Sequence, residues 1–266
     1  MSGAYVHGYD PRESERLADQ AGTLVDLLHS DTAYPAGSTV LEAGCGVGAQ
    51  TVTLAAHSPG ASITSIDVSA ESLAEAERRV GEGRVEFLQA DIFDLPFEGR
   101  SFDHVFVCFV LEHLSRPVEA LTILKGLLKP GGTITVIEGD HGSAYFHPRS
   151  EPAQAAIQCL IDLQAAAGGD SLIGRRVHPL MVEAGFADVR VSPRVVYADA
   201  SRPEMVDGFT LKTFTAMVAG VRDEAIAAGM ADPERFDAGI RDLERTAEGD
   251  GTFSYTFFKG VGEKRC

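Results

Sequence analysis

The chain has no tryptophan, four cysteines and little positive charge: 23 Lys+Arg stand against 39 Asp+Glu, a formal net charge of −16 over 266 residues. Such a field repels phosphate backbones and anionic membranes, so nucleic acid and lipid surfaces are poor partners. Cys45, Cys108, Cys159 and Cys266 are far apart and form no CxxC pair, which argues against zinc ligation and a disulfide framework; free thiols and no metal are expected. Long apolar runs are also missing. The densest, 105–111, is closed by Glu112 and His113, so no membrane span is expected. The stretch MSGAYVHGYDPRESERL has no basic segment followed by an apolar one, and a cytoplasmic location is expected. No internal repeat or low-complexity tract stands out.

What is present is an alternation of short β-rich runs with helical patterns. The strand candidates 39–43 (TVLEA), 62–67 (SITSID), 84–89, 104–108 and 133–138 are each bounded by Gly, Pro or Asp, as in a parallel sheet with crossover helices. Ser69 precedes AESLAEAERRV, with acids early and Arg78 and Arg79 late, the order that a helix dipole favours. Ser115 is a candidate cap for a helix that stops at LKPGG, where Pro130 and two glycines cannot continue it. A leading helix is expected over 10–29, helices over 152–167 and 175–184, and a sixth strand over 189–197. A helical insertion over 203–248 precedes a last strand that starts at Thr252.

In an open parallel sheet, ligands bind outside the carboxyl ends of the strands. Here the first strand ends in Glu42-Ala43-Gly44-Cys45-Gly46-Val47-Gly48 and runs straight into a helical pattern, a turn that allows close backbone approach by a ligand. The second strand ends at Asp67, about 20 residues beyond that turn, the spacing at which an acid accepts from a ribose diol. The third leads into Asp91 and Ile92, a carboxylate for an adenine amino group beside an apolar side chain for the ring. Nicotinamide-binding folds prefer G-x-G-x-x-G, whereas this turn is G-C-G-V-G with an acid two residues before it.

The motifs VLEAGCGVG, SIDVS, QADIFDLPF, FDHVFVCFVLEHL and LLKPGGTITVIE, in this order over about residues 39–138, resemble the class I S-adenosylmethionine-dependent methyltransferases. The resemblance implies an α/β fold: a doubly wound, mostly parallel seven-stranded Rossmann-like sheet closed by an antiparallel last strand over 252–260. It also implies an N-terminal lid (1–30), a cofactor-binding core (31–200), a helical substrate cap (201–250) and a return to the core (251–266). Gly44, Gly46 and Gly48 would lie against the methionine part of the cofactor, with Glu42 orienting that loop or binding the amino group. Asp67 would hold the ribose, Val68 and Ile92 the adenine, and Asp91 its amino group. Cys108 and Phe109 would present carbonyls to the methionine ammonium, and Tyr9, Arg16 and Gln20 of the leading helix are candidate contacts.

Methyl transfer needs an aligned nucleophile and exclusion of water, and a base where the nucleophile carries a proton. His141 and His113, both at the ligand end of the sheet, are the candidate catalytic residues; the alternative is a helix-start role for His113 and a turn-filling one for His141. Glu138 and Asp140 could neutralise a cationic acceptor or bond loop amides. Tyr145, Phe146, His147, Phe209, Lys212 and Phe214 could line a pocket or pack the core. The expected reaction is transfer of a methyl group from S-adenosylmethionine to an oxygen, nitrogen or carbon of a small molecule, with a homodimer as a further expectation. The competing classes are an NAD-dependent oxidoreductase, which the absence of a clear Tyr-x-x-x-Lys dyad disfavours, and a non-catalytic S-adenosylmethionine-binding protein.

Overall fold

A computed structural model describes residues 22–265. Its strands are β1 (Thr39–Ala43), β2 (Ser62–Asp67), β3 (Glu86–Gln89), β4 (Phe102–Cys108), β5 (Leu128–His147), β6 (Ala187–Ala198) and β7 (Thr252–Glu263). They form one sheet in the order β3-β2-β1-β4-β5-β7-β6. The first five pair in parallel, and β7 runs antiparallel to both β5 and β6. The chain reverses outward from β1 on one side and from β4 on the other, so the ends of those two strands mark the switch point where a crevice opens.

Both faces of the sheet are covered. One side carries α1 (22–29), α2 (Ala49–His57) and α5 (Glu151–Ala166), with Leu28, Leu54, Phe106, Ile137 and Leu160 in a shared core. The other carries α4 (Pro117–Leu127) and α6 (Val177–Glu183), where Leu121, Leu124 and Met181 are fully buried against Val105, Val107 and Val136. Each such side chain withdraws from water at a gain of about 1.5–3 kcal/mol. Between β2 and β3, α3 (Ala70–Val80) starts as its sequence suggests: the Ser69 hydroxyl accepts the Ser72 amide at 3.1 Å, and Arg78 and Arg79 lie in the last turn.

Between β6 and β7 the chain is helical but broken. It runs through α7 (Pro203–Met205), a π-helical stretch Val206–Thr215, α8 (Ala216–Gly220), α9 (Arg222–Ala227) and α10 (Pro233–Arg245). Asp232 caps α10 by accepting the Glu234 and Arg235 amides. Phe209 and Phe214 of the π-helical stretch pack onto Phe253, Tyr255 and Phe257 of β7, which fixes the insertion to the sheet. At the opposite end of that strand, Lys259 is buried. Its ammonium donates to the Leu28 carbonyl (3.1 Å), Thr32 Oγ1 (2.5 Å) and Asp31 Oδ1 (2.5 Å), so β7 holds the end of α1.

Several expected boundaries move. β5 is far longer than 133–138: LKPGG lies within it, because Leu128 pairs with Phe102 and Gly131 donates to the Lys264 carbonyl, and its far end continues to His147 opposite Thr252. Ser115 is not a cap; Arg116 holds that position without a side-chain cap bond, and its guanidinium instead grips Glu119 at 2.8 Å. The helix expected over 175–184 begins as a 3-10 turn, Ile173–Arg176, before α6. Of the expected leading helix, 22–29 is helical; its earlier part, with Tyr9, Arg16 and Gln20, lies outside the described residues, as does Cys266. Among the described residues no helix is long and apolar enough to cross a membrane.

Candidate active site

Glu42, the fourth residue of β1, is 2 % exposed. Its Oε2 accepts the hydroxyls of Thr51 (2.7 Å) and Ser65 (2.6 Å), while Oε1 is buried with no hydrogen-bond partner among the described residues. Burial pushes its carboxyl up to about 7; the two hydroxyls oppose that shift and the Asp67 charge adds to it. Thr51 stands on α2 and Ser65 on β2, so this one carboxylate ties the strand before the glycine turn to the helix after it.

Within the turn the glycines have different duties. All three have positive φ, at 79°, 52° and 75° for Gly44, Gly46 and Gly48. A Cβ on Gly48 would lie 2.8 Å from Ala76 Cβ and 2.9 Å from its Cα, so this glycine lets α3 approach. A Cβ on Gly44 would meet Val110 at 2.5 Å, whereas above Gly46 none of the described residues lies within 4 Å. Gly46 is therefore the point where the turn faces open space.

Asp67 closes over this turn. Its Oδ2 accepts the Gly46 amide at 2.8 Å and its Oδ1 the Ser69 amide at 2.9 Å, which leaves lone pairs on both oxygens for further donors. Val68, next along, is 47 % exposed, unusual for valine at the end of a buried strand. Gln89 is the register partner of Asp67 and the Ala90 amide donates to the Asp67 carbonyl, so Asp91 stands on the same rim. It is exposed, with Oδ1 accepting the Phe93 amide at 2.9 Å, and Ile92 beside it is buried. The sheet thus gathers Glu42, Gly46, Asp67, Val68, Asp91 and Ile92.

On the other side of the switch point, Cys108 ends β4 as a buried free thiol and Phe109 takes φ 57°, its amide donating to the Ile137 carbonyl. Glu138 is buried beneath the loop that follows: its Oε1 accepts the Val110 and Leu111 amides at 3.0 and 2.7 Å. Burial, with the nearby Glu112 charge, holds its carboxyl well above the usual range. Of the two roles open to Glu138, bonding loop amides is the observed one. His113 ends the short 3-10 turn Leu111–His113, its Nε2 3.5 Å from Glu112 Oε1.

Asp140 is paired twice with Arg175, at 2.8 and 2.7 Å, and so is not a bare negative charge. His141, 5 % exposed, has Nδ1 2.8 Å from the Tyr255 hydroxyl, with the Phe214 ring edge-on at 6.0 Å between centroids. Phe209 and Phe214 are core residues that also wall this corner. Lys212 is exposed and ion-paired with Asp207 at 2.7 Å. Phe146 stacks on Phe253, and Tyr145 is 73 % exposed. Sequence reasoning did not single out Tyr255, Arg175, Thr51 or Ser65. For Tyr255 a signal exists: it is the hydroxyl in the stripe Phe253, Tyr255, Phe257 that period-two alternation puts on one face.

A doubly wound α/β sheet with a glycine turn and acids at its switch point defines a class of proteins whose ligand crevice lies beyond the carboxyl ends of the strands. Residues 41–136 match the family model described as a methyltransferase domain. An uncharacterised protein from a Streptomyces fradiae transposon is 35 % identical over 188 residues, 69 % of this chain and 54 % of that protein. A demethylmenaquinone methyltransferase from Clavibacter sepedonicus is 40 % identical over 104 residues, 39 % of this chain and 42 % of that one. The chain spans about half the length of the curated relatives it matches. Among solved structures, a Haemonchus contortus phosphoethanolamine N-methyltransferase 2 shares the fold with a TM-score of 0.57 at 17 % identity, over 93 % of this chain and 53 % of that one. Residues 41–136 are thus similar to a methyltransferase domain, and the sheet around them has the fold of methyltransferases of known structure.

Proposed function

We propose that this protein transfers a methyl group from S-adenosylmethionine to a small-molecule acceptor, with the cofactor on the rim formed by Glu42, the glycine turn, Asp67 and Asp91. The observation that carries this reading is the contact between Asp67 and the Gly46 amide, which brings the acid and the open glycine into one cradle. The residues fit such a ligand. The unpartnered Oε1 of Glu42 suits the amino group of the methionine part, directly or through the turn. Remaining lone pairs on Asp67 suit ribose hydroxyls, and exposed Val68 with Ile92 suits the adenine ring. Cys108 and Phe109 supply the backbone at the methionine end.

When bound, S-adenosylmethionine supplies a methyl group activated by its sulfonium. The protein must orient the acceptor and keep water out. His141, Tyr255 and Phe214 wall the acceptor side, the insertion over 203–245 forms its cap, and His113 stands at its edge. The demethylmenaquinone and phosphoethanolamine enzymes among the similar proteins act, by their names, on small molecules, which supports an acceptor of that kind here.

Calorimetry with S-adenosylmethionine, S-adenosylhomocysteine and NAD tests the reading. Binding of the first two and not the third is expected; a folded sample that binds neither adenosyl ligand refutes it. Tight binding with no transfer of labelled methyl to a broad metabolite panel would instead favour a non-catalytic binding protein.

A further inference from the structure

β5 carries a buried carboxyl to which the proposed reaction gives no task. Glu138 is wholly enclosed, and by the alternation of its strand it shares the face of Ile134 and Val136, toward α6. Glu42 bonds Thr51 of α2 on the opposite face. The two carboxyls brace the rim of the sheet from its two sides.

What Glu138 braces is a change of direction. The β4–β5 ladder ends with Cys108 opposite Ile137, and the Phe109 amide still donates to the Ile137 carbonyl at 2.9 Å. One ladder step further, the Leu111 amide would meet the Gly139 carbonyl. Instead the chain turns away at Phe109, whose φ of 57° is rare for a residue with a side chain. The Val110 and Leu111 amides then both donate to Glu138 Oε1, at 3.0 and 2.7 Å. Val110 holds the capping position of the 3-10 turn Leu111–His113 and makes no side-chain cap bond of its own. The cap comes from the neighbouring strand.

The turn held in this way reaches the glycines. A Cβ on Gly44 would stand 2.5 Å from Val110 Cγ2 and 3.1 Å from its Cγ1, so the valine fills the place that a side chain of Gly44 would take. From the other side, the Ile66 carbonyl accepts the Gly44 and Cys45 amides at 2.8 and 2.9 Å. The start of the glycine turn therefore lies between β2 and Val110.

We infer that Glu138 is a positioning residue for the methionine end of the cofactor site: by capping Val110 and Leu111 it holds the turn 108–111 against Gly44. The inference rests on the methyltransferase reading above and deepens it, giving the site a brace that acts through Val110. Burial holds the Glu138 carboxyl well above the usual range, so Oε1 serves as a carbonyl oxygen, which Glu138→Gln keeps and Glu138→Leu removes.

Hydrogen exchange of the protein without ligand reads the cap directly. In Glu138→Leu the amides of 109–112 should exchange about tenfold faster than in the wild type, while those of β1, β2 and β4 keep their protection. Unchanged exchange at 109–112 overturns the inference. Calorimetry with S-adenosylhomocysteine reads the consequence: Glu138→Leu should bind about 10- to 100-fold more weakly, and Glu138→Gln should return to within about threefold of the wild type. Urea unfolding should change little in Glu138→Leu, since removing a buried carboxyl relieves its desolvation as it frees the two amides. Undiminished affinity in Glu138→Leu, an equal loss in Glu138→Gln, or a loss that only keeps step with lost stability overturns it. Should Glu138→Leu fail to fold, Val110→Ala leaves the cap in place and opens the contact with Gly44. Binding about 3- to 10-fold weaker is then expected, with exchange at 109–112 as in the wild type, and undiminished affinity overturns the inference. A wild-type protein that binds no adenosyl ligand refutes the proposed function instead, and the exchange measurement still decides whether Glu138 caps the turn.

Discussion

The Asp67 carboxylate accepts the Gly46 amide at 2.8 Å, so the acid that ends β2 also shapes the turn that ends β1. One side chain therefore braces the turn, and in the proposed function its remaining lone pairs take the ribose hydroxyls. Asp67→Ala should weaken S-adenosylmethionine binding by about 10- to 100-fold, or about 1.4–2.8 kcal/mol, by calorimetry. Asp67→Asn keeps one acceptor oxygen and should lose less.

The glycines can be separated by experiment. Gly48→Ala forces a methyl into Ala76 and should destabilise the fold by about 1–3 kcal/mol in urea unfolding. Gly46→Ala meets no neighbour and should lose about 1 kcal/mol of stability through its positive φ, while cofactor affinity falls disproportionately. Equal ratios of affinity loss to stability loss in the two variants would contradict this division of labour.

Glu42 makes stability depend on pH. Its folded carboxyl is raised to about 7, so between the ordinary glutamate value and 7 the folded state keeps a proton that the unfolded chain has released. The contribution is whole at lower pH and is lost as pH climbs through 7, by at most about 3 kcal/mol. Urea unfolding at pH 5 and pH 8 should show that decline in the wild type and a smaller one in Glu42→Gln. Cofactor binding below pH 7 should release a proton if the ligand's amino group pairs with Glu42, which calorimetry in two buffers of different ionisation enthalpy detects.

Lys259 offers a test remote from the chemistry. Lys259→Met removes three charge-assisted bonds to Leu28, Asp31 and Thr32, and the fold should lose about 2 kcal/mol, read by urea unfolding. The end of α1 should exchange its amide hydrogens faster, with β1 to β4 unchanged.

Much of this was legible along the chain because the signals are local. β1 and β2 begin and end where the residue pattern puts them, and Ser69 caps α3 as its place before AESLAEAERRV suggests. The glycine turn and the acids after β2 and β3 could be grouped because parallel strands bring their ends to one rim. What escaped depends on partners distant in sequence. β5 extends to His147 because β7, more than a hundred residues later, supplies the pairing. Arg175 neutralises Asp140 across 35 positions, and Tyr255 reaches His141 across 114. In TFSYTFFKG nothing announces that one hydroxyl will meet a histidine or that one lysine will be sealed under α1. The π-helical stretch was likewise beyond reach, since no composition separates it from an ordinary helix.

Ala198, the last residue of β6, sits directly across from Phe253 of β7. The chain therefore leaves the sheet and comes back at neighbouring positions, with residues 199–251 looped between. A segment with such closely spaced ends is a natural cassette: one of different length or pocket shape can join the same two strands, provided that it brings apolar side chains to replace Phe209 and Phe214 on β7. If the proposed function holds, a chimera bearing a foreign segment of that kind should keep S-adenosylmethionine binding while its acceptor preference changes.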